Sequence, residues 1–251
     1  MIDVLLSAFL LSIVLVGIHS YFGLEIIKRG IIFTDLAIGQ MSAVGAAISL
    51  LFFDGAYIYP ISLLFALIGG YFIAFAAKRT VDVEAFIGLL YAFGVAAVFI
   101  ILSKTDHGME EFQRLIAADI LFTPMEKIIK VAIIYSLLGG VIVFFHYKTT
   151  GFLRDLLFFV TFAVTVTSSV EMAGVMVVFA LLISPALISL CIGRGILLVN
   201  AWIIGTVINL IAILLSYNFD LPTGYAIVFC NALTAAVINL ISKRMKVPKT
   251  A

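Results

Sequence analysis

Four polar residues stand where the surrounding sequence is apolar, and two of them, Asp35 and Glu171, are carboxylates that could line a cation's route. Asp35 and Gln40 sit in IIFTDLAIGQMSAVGAAISLLFF (31 to 53), Glu171 lies at the end of FVTFAVTVTSSVEM (159 to 172), and Asp220 precedes Pro222 and Gly224 in NFDLPTG. Ionised carboxylates in such surroundings are costly and usually face a bundle interior or a wet cavity. Asp35 is six residues beyond Arg29, which places it roughly 9 Å in from an interface at about 1.5 Å per helical residue. Its own helical face, at i+4, i+7 and i+11, holds Gly39, Ser42 and Ala46. So small a stripe permits either close helix packing or the lining of a narrow polar path. Three roles are open to Asp35: a pathway ligand, a structural partner of Lys28 or Arg29, and a neutral hydrogen-bonded acid.

Glu171, a carboxylate between two apolar runs, needs a partner or water and is the second candidate for a cation route. Thr161, Thr165 and Ser168 share one face of the same segment, but hydroxyls in membrane helices usually bond back to their own backbone. Asn209 and Asn231 lie mid-span, where hydrogen bonding between helices is the expected use. Met172 and Met176 read as packing. His19, His107 and His146 are scattered with no pair at ligand spacing, and Cys191 and Cys230 lie within apolar runs as small hydrophobes. The sequence carries no GxxxxGK[ST], HExxH or GxSxG. It therefore lacks the usual cradle for a nucleotide and the usual groups of an intramembrane hydrolase.

The elements that must position these residues are membrane helices. Of the 251 residues 64% are hydrophobic and 12% charged, against roughly 45 to 50% apolar in a soluble domain. Apolar runs of about 20 residues recur from end to end, which is helix length; barrel strands would be about half as long and alternating. The expected fold is an all-α polytopic bundle of 8 or 9 spans forming a single transmembrane domain over residues 1 to 251. Candidate spans fall near 4 to 22, 31 to 53, 60 to 77, 85 to 103, 128 to 147, 155 to 172, 174 to 192, 197 to 217 and 222 to 241. The weakest division is the one within 155 to 192. MIDVLLSAFLLSIVLVGIHSYF reads as a first span, because it has no basic leader and no small-residue cleavage site.

With nine alternating spans, eleven of the 15 Lys and Arg residues fall on one side: Lys28, Arg29, Lys78, Arg79, Lys148, Arg154, Arg194, Lys243, Arg244, Lys246 and Lys249. The positive-inside rule then puts the amino terminus outside and the carboxyl terminus inside. Asp3, Asp54, Asp106, Glu110, Glu111, Asp119, Glu126 and Asp220 gather on the outer side, where an acidic mouth would concentrate cations. An ordinary solvated loop or a docking surface would give the same pattern. Within the outer loop, MEEFQRLIAADILF has helical spacing and suggests a short surface helix. GLLYAFGVAAVF and EMAGVMVVF share a GVxxVF pattern, weak evidence of a repeat. Nothing points to nucleic acid.

Three stretches together resemble the integral membrane permeases of ABC transporters for zinc, manganese and iron. They are KRGIIFTDLAIGQMSAVGAAISLLF (28 to 52), AGVMVVFALLISPALISL (173 to 190) with Pro185 and Ala186, and SYNFDLPTGYAIVF (216 to 229) with its DLPTG turn. The resemblance covers nearly the whole chain. It implies a permease of the prokaryotic cytoplasmic membrane that pairs with a second copy of itself. Two ABC ATPase subunits would dock on the inner loops through residues such as Lys148, Arg154 and Arg194, and an extracytoplasmic binding protein would deliver metal to an outer gate at Asp220, Pro222 and Gly224. The chain itself would hold no cofactor; a divalent metal ion is the transported substrate, with Asp35, Gln40 and Glu171 as pathway ligands.

Two departures from that family stand out. Its members commonly have histidine four residues after the aspartate, where this chain has Gly39; Gln40 follows, about 140° round the helix from Asp35. Oxygen ligation without imidazole suits harder ions such as manganese better than zinc. The inner loop HYKTTGFLRDLLFF (146 to 159) is shorter than the family's and lacks its coupling helix, so residues 78 to 84 and 193 to 196 are expected to share ATPase docking. Two other functions stay open on these grounds: a permease-like scaffold that transports no metal, and a permease for a metal chelate or vitamin.

Overall fold

The computed structural model describes residues 2 to 77, 82 to 117, 120 to 146 and 152 to 242, and among these the structure is helical throughout with no strand. In chain order the helices are α1 (Ile2–Arg29), α2 (Thr34–Phe53), α3 (Ile58–Ala77), α4 (Val83–Leu102), α5 (Gly108–Ile116), a 3-10 turn at Ile120–Phe122, α6 (Met125–His146), α7 (Phe152–Ala173), α8 (Val175–Ile192), α9 (Leu197–Phe219) and α10 (Thr223–Ile241). Eight of the described helices are long and apolar enough to cross a membrane, and a shorter apolar helix, Leu157–Ala173, makes a ninth apolar element. Every span expected from the sequence coincides with one of these. The short helix expected within MEEFQRLIAADILF is present as the amphipathic α5.

The division within 155 to 192 is real, and a single residue makes it. Gly174 has φ +82° and its N–H donates to Val170 O at 2.8 Å. That left-handed conformation closes α7 and re-aims the chain at no steric cost only because glycine has no Cβ. The two glycines of the GVxxVF pattern are used differently. Its first glycine, Gly94, is an ordinary mid-helix position in α4, whereas Gly174 is a break.

The chain divides into two compact units, one of residues 1 to 32, 117 to 132 and 176 to 251, the other of residues 33 to 116 and 133 to 175. In the first, α1, α8, α9 and α10 pack wherever small residues let backbones meet. A Cβ on Gly23 would strike the Leu182 carbonyl, and one on Gly205 would lie 2.6 Å from Val16 Cγ1 and 2.8 Å from Pro185 Cγ. Gly205 is thus the recess that takes the ring of Pro185, the proline inside α8. Trp202 Nε1 donates to Ile13 O at 3.0 Å. Asn231 Nδ2 donates to Asn209 Oδ1 at 2.8 Å, so these two residues do link α9 to α10.

The second unit is built around α2, buried without interruption from Thr34 to Ala47. Its small residues make that possible, since without lipid-to-protein hydrophobic contrast membrane helices associate through close van der Waals fit. A Cβ on Gly45 would lie 2.6 Å from Ile61 O, one on Gly69 2.9 Å from Met41 Cγ, and one on Gly94 2.7 Å from Gln40 Cβ. Helices α3 and α4 therefore lie directly on α2. Large apolar side chains such as Leu89 and Leu137 are left exposed, as befits surfaces that lipid would cover.

Candidate functional site

Asp35 occupies the first turn of α2, where the partial positive charge of a helix N-terminus favours a carboxylate. It is 1% exposed, and neither Oδ1 nor Oδ2 has a hydrogen-bond partner. Lys28 Nζ reaches Glu25 Oε1 at 3.3 Å, and Arg29 Nε lies 4.0 Å from Glu25 Oε2. Glu25, within α1, thus engages the two basic residues that the sequence offered to Asp35. A buried carboxylate with both oxygens unpartnered is expensive, and in native structures it calls for a functional explanation.

The neighbours of Asp35 follow from the faces of α2. One turn on, Gly39 rests against α7 and the first residue of α8: a Cβ there would lie 3.1 Å from Val175 Cγ1 and 3.6 Å from Val170 Cγ2. The position of the expected histidine is filled by two valines that flank the Gly174 break. Gln40 points elsewhere, over Gly94 of α4, in a regular helix that leaves it about 140° from Asp35. The structure therefore separates these two residues onto different faces of α2.

Glu171 is exposed near the end of α7 and within electrostatic range of Tyr59 and Tyr135. Tyr135 is a residue the sequence did not single out. Its hydroxyl lies 2.6 Å from Ser169 Oγ and 2.8 Å from Ser168 Oγ and donates to Thr165 O at 3.2 Å, which pins α6 to α7. The other α7 hydroxyls behave as expected: Thr161 donates to Leu157 O at 2.7 Å, Thr165 to Thr161 O at 2.8 Å and Ser168 to Val164 O at 3.0 Å. Thr167, also missed, is the exception; it is 1% exposed and its Oγ1 has no partner.

Asp220 is exposed and has φ +52° as the left-handed cap that ends α9. Pro222, also exposed, is the N-cap of α10, and Gly224 is buried in that helix's first turn. Ser216 Oγ fixes the turn by donating to Leu221 O at 2.6 Å and lying 2.8 Å from Thr223 Oγ1. Asp54 caps α2 in the same left-handed conformation, with φ +49°. Asp54, Asp106, Glu110 and Glu126 are exposed and Glu111 is half-buried. Arg154 is exposed in α7, and Arg194 is exposed in the α8–α9 turn, where its carbonyl accepts from Asn200 Nδ2. Lys148 lies outside the described residues, as do Lys78, Arg79, Asp119 and the basic tail from Lys243 onward. Among the described residues no three His, Cys, Asp or Glu side chains cluster as a metal-binding group.

The family model of the ABC 3 transport family matches residues 1 to 242. The chain belongs to the ABC 3 transport family. The structure of PsaBC from Streptococcus pneumoniae in complex with Fab is similar, with a TM-score of 0.78 at 17% identity, covering 97% of this chain and 91% of that one. A second similar structure is an inward-facing conformation of a metal-chelate type ABC transporter, with a TM-score of 0.69 at 15% identity, covering 92% of this chain and 84% of that one. An uncharacterized membrane protein of Cyanophora paradoxa, from the ycf23-apcF intergenic region, is 34% identical over 86 residues. That match spans 34% of this chain and 29% of the relative's length. As an ABC 3 family member with eight helices, among the described residues, long and apolar enough to cross a membrane, the chain is a multi-pass membrane protein and a transport subunit; in a prokaryotic cell its membrane is the cytoplasmic one.

Proposed function

We propose that this chain is the permease subunit of an ATP-driven importer of a divalent transition-metal ion, and that Asp35 is the principal ligand on the ion's path. One observation carries the reading: both oxygens of Asp35 are unpartnered while the residue is buried in the first turn of α2. A cation in transit would offset the desolvation of that carboxylate, and no protein group among the described residues does so. Gln40 on the α4 side of α2 and Glu171 at the end of α7 serve as further polar stations. Asp220, Pro222 and Gly224 form the outer gate.

Family membership supports the remaining assignments. The permease works as a pair of copies, with ATP-binding cassette subunits docked through inner segments that include Lys148, Arg154 and Arg194. A separate binding protein feeds the outer, acid-rich side, and ATP hydrolysis by the docked subunits switches access from one side to the other. The amino terminus lies outside and the carboxyl terminus inside. Manganese is the favoured ion among manganese, zinc and iron, because Asp35 offers a carboxylate and Gly39 stands where a histidine would add an imidazole.

Metal uptake into vesicles that contain the permease and its ATPase tests this directly. Wild type should accumulate manganese in an ATP-dependent manner and Asp35→Ala should not; equal rates would overturn the role of Asp35. Transport of a chelate in preference to the free ion would favour a chelate permease. Absence of any metal-stimulated ATP hydrolysis would favour a scaffold.

A further inference from the structure

We infer that the Thr34 hydroxyl is the second oxygen ligand of the cation site at Asp35. This rests on the reading of Asp35 as a ligand for transported metal and adds a partner to it.

Thr34 and Asp35 are the first two residues of α2, and Phe33 before them supplies no side-chain cap. Hydroxyl and carboxylate side chains at a helix start ordinarily accept from the N–H groups of the first turn. Neither does so here: Thr34 Oγ1, Asp35 Oδ1 and Asp35 Oδ2 have no hydrogen-bond partner among the described residues. Thr34 is fully buried and Asp35 is 1% exposed, so bulk water does not reach them. Thr161 and Thr165 discharge their hydroxyls onto carbonyls one helical turn back. Thr34 opens its helix and has no helical turn behind it to use in that way.

The facing of both side chains follows from the contacts of α2. Ile38 and Met41, one and two turns on from Thr34, meet α3: a Cβ on Gly70 would lie 3.7 Å from Ile38 Cδ1, and one on Gly69 2.9 Å from Met41 Cγ. Gly39, one turn on from Asp35, instead meets Val170 of α7 and Val175 of α8. Thr34 therefore heads the α3 side of α2, and Asp35 heads the side of α7 and α8. Helix α4 takes a third side, with its Gly94 against Gln40. Because α3 and α7 also pack on each other, the sides headed by Thr34 and Asp35 border one wedge.

Covalent geometry sets the reach. Consecutive Cα atoms are about 3.8 Å apart, and successive helical side chains diverge by about 100°. A divalent ion with oxygen ligands at about 2.0 to 2.6 Å spans oxygens about 4 Å apart. Neighbouring threonine and aspartate side chains reach that separation by choice of rotamer. The positive end of α2 favours the carboxylate and opposes a bare cation, so a single carboxylate is a thin hold for a metal there. A hydroxyl oxygen strengthens it, and the pair of oxygens suits a hard ion.

The test is manganese binding, followed by electron paramagnetic resonance, to the full-length permease in lipid nanodiscs. Wild type should bind Mn²⁺ and Asp35→Asn should lose it. Thr34→Val, which keeps the side-chain shape, should weaken binding by about tenfold or more, the usual cost even for a group that only supports a metal's ligands. Thr34→Ser should stay near wild type. Thr34→Cys, with a soft sulfur in place of the hydroxyl, should shift competition from Mn²⁺ toward Cd²⁺. Asp35-dependent binding that is unaltered in Thr34→Val, or a metal preference unaltered in Thr34→Cys, would overturn the Thr34 assignment and leave the Asp35 reading standing. Equal weakening in Thr34→Val and Thr34→Ser would also overturn it, since the hydroxyl would then not be responsible. Should Thr34→Val fail to fold, the metal preference of Thr34→Cys decides alone. Wild-type binding that is absent, or indifferent to Asp35→Asn, would bring down the Asp35 reading itself, and this inference with it.

Discussion

Val175 Cγ1 stands 3.1 Å from the point that a Cβ on Gly39 would occupy, with Val170 Cγ2 at 3.6 Å. The slot one turn above Asp35 is therefore filled from α7 and α8, and a larger residue at position 39 has nowhere to go. Gly39→His should not create an Asp/His site. Overpacking of this kind costs about 1 to 3 kcal/mol, visible as a lower Tm in detergent, and manganese uptake should fall. Combining Gly39→His with Val175→Ala should recover stability and shift competition in uptake assays toward zinc, which imidazole suits. A single Gly39→His variant as stable and active as wild type would show that the valines yield freely.

Asp35→Asn separates a transport role from a structural one. If the carboxylate held the fold together through an ion pair, its neutral amide analogue would destabilise the protein. Both oxygens lack partners, so removing the charge relieves a desolvation cost and leaves no stranded counter-charge. The expected result is a metal-free Tm equal to or above that of wild type, with ATP-dependent uptake reduced to background. A clear drop in Tm would argue for an unrecognised structural bond.

How much of this was legible in the sequence depends on what each inference needed. Span count and helix type came from apolar run length alone, because hydrocarbon leaves the backbone few alternatives. Asp35 was legible because a charge in such a run is conspicuous. Thr167 was not, since threonines in membrane helices are ordinary and only the three-dimensional structure shows which hydroxyl fails to reach a carbonyl. The facing of Gln40 was half legible: the angular step placed it away from Asp35, but that α4 would be the neighbour depended on Gly94, one of the many glycines of this chain. Gly174 was present in the sequence as a glycine between two apolar runs, yet its left-handed φ, and so the break, is a property of the folded chain. The role of Ser216 in fixing the DLPTG turn needed the coordinates as well.

Tyr135 predicts a measurable clamp. Tyr135→Phe removes the hydroxyl that lies 2.6 Å from Ser169 Oγ and 2.8 Å from Ser168 Oγ. Ser168 retains its bond to Val164 O at 3.0 Å, so part of the network survives. Hydrogen bonds between membrane helices are worth about 0.6 to 2 kcal/mol, and the variant should lose stability in that range. Tyr135→Phe and Ser169→Ala should be less than additive, because each removes the same bond. Full additivity in thermal unfolding would mean that the tyrosine contributes through its ring alone.

The asparagine pair makes the opposite kind of prediction. Asn231 Nδ2 donates to Asn209 Oδ1 at 2.8 Å and to Ile227 O at 3.0 Å, while Asn209 Nδ2 and Asn231 Oδ1 have no partner. Both residues are fully buried. The pair thus makes one bond across the helices and strands one donor and one acceptor. Asn209→Leu alone strips the acceptor from Asn231 and should cost about 1 to 3 kcal/mol, the usual result of leaving a buried polar group unsatisfied. Replacing both residues by leucine removes the stranded atoms together with the bond, and apolar packing of similar volume takes over. The double variant should then be at least as stable as the single one, and close to wild type, when unfolding is followed in detergent. Losses that simply add would show that Asn209 and Asn231 stabilise their helices independently of each other.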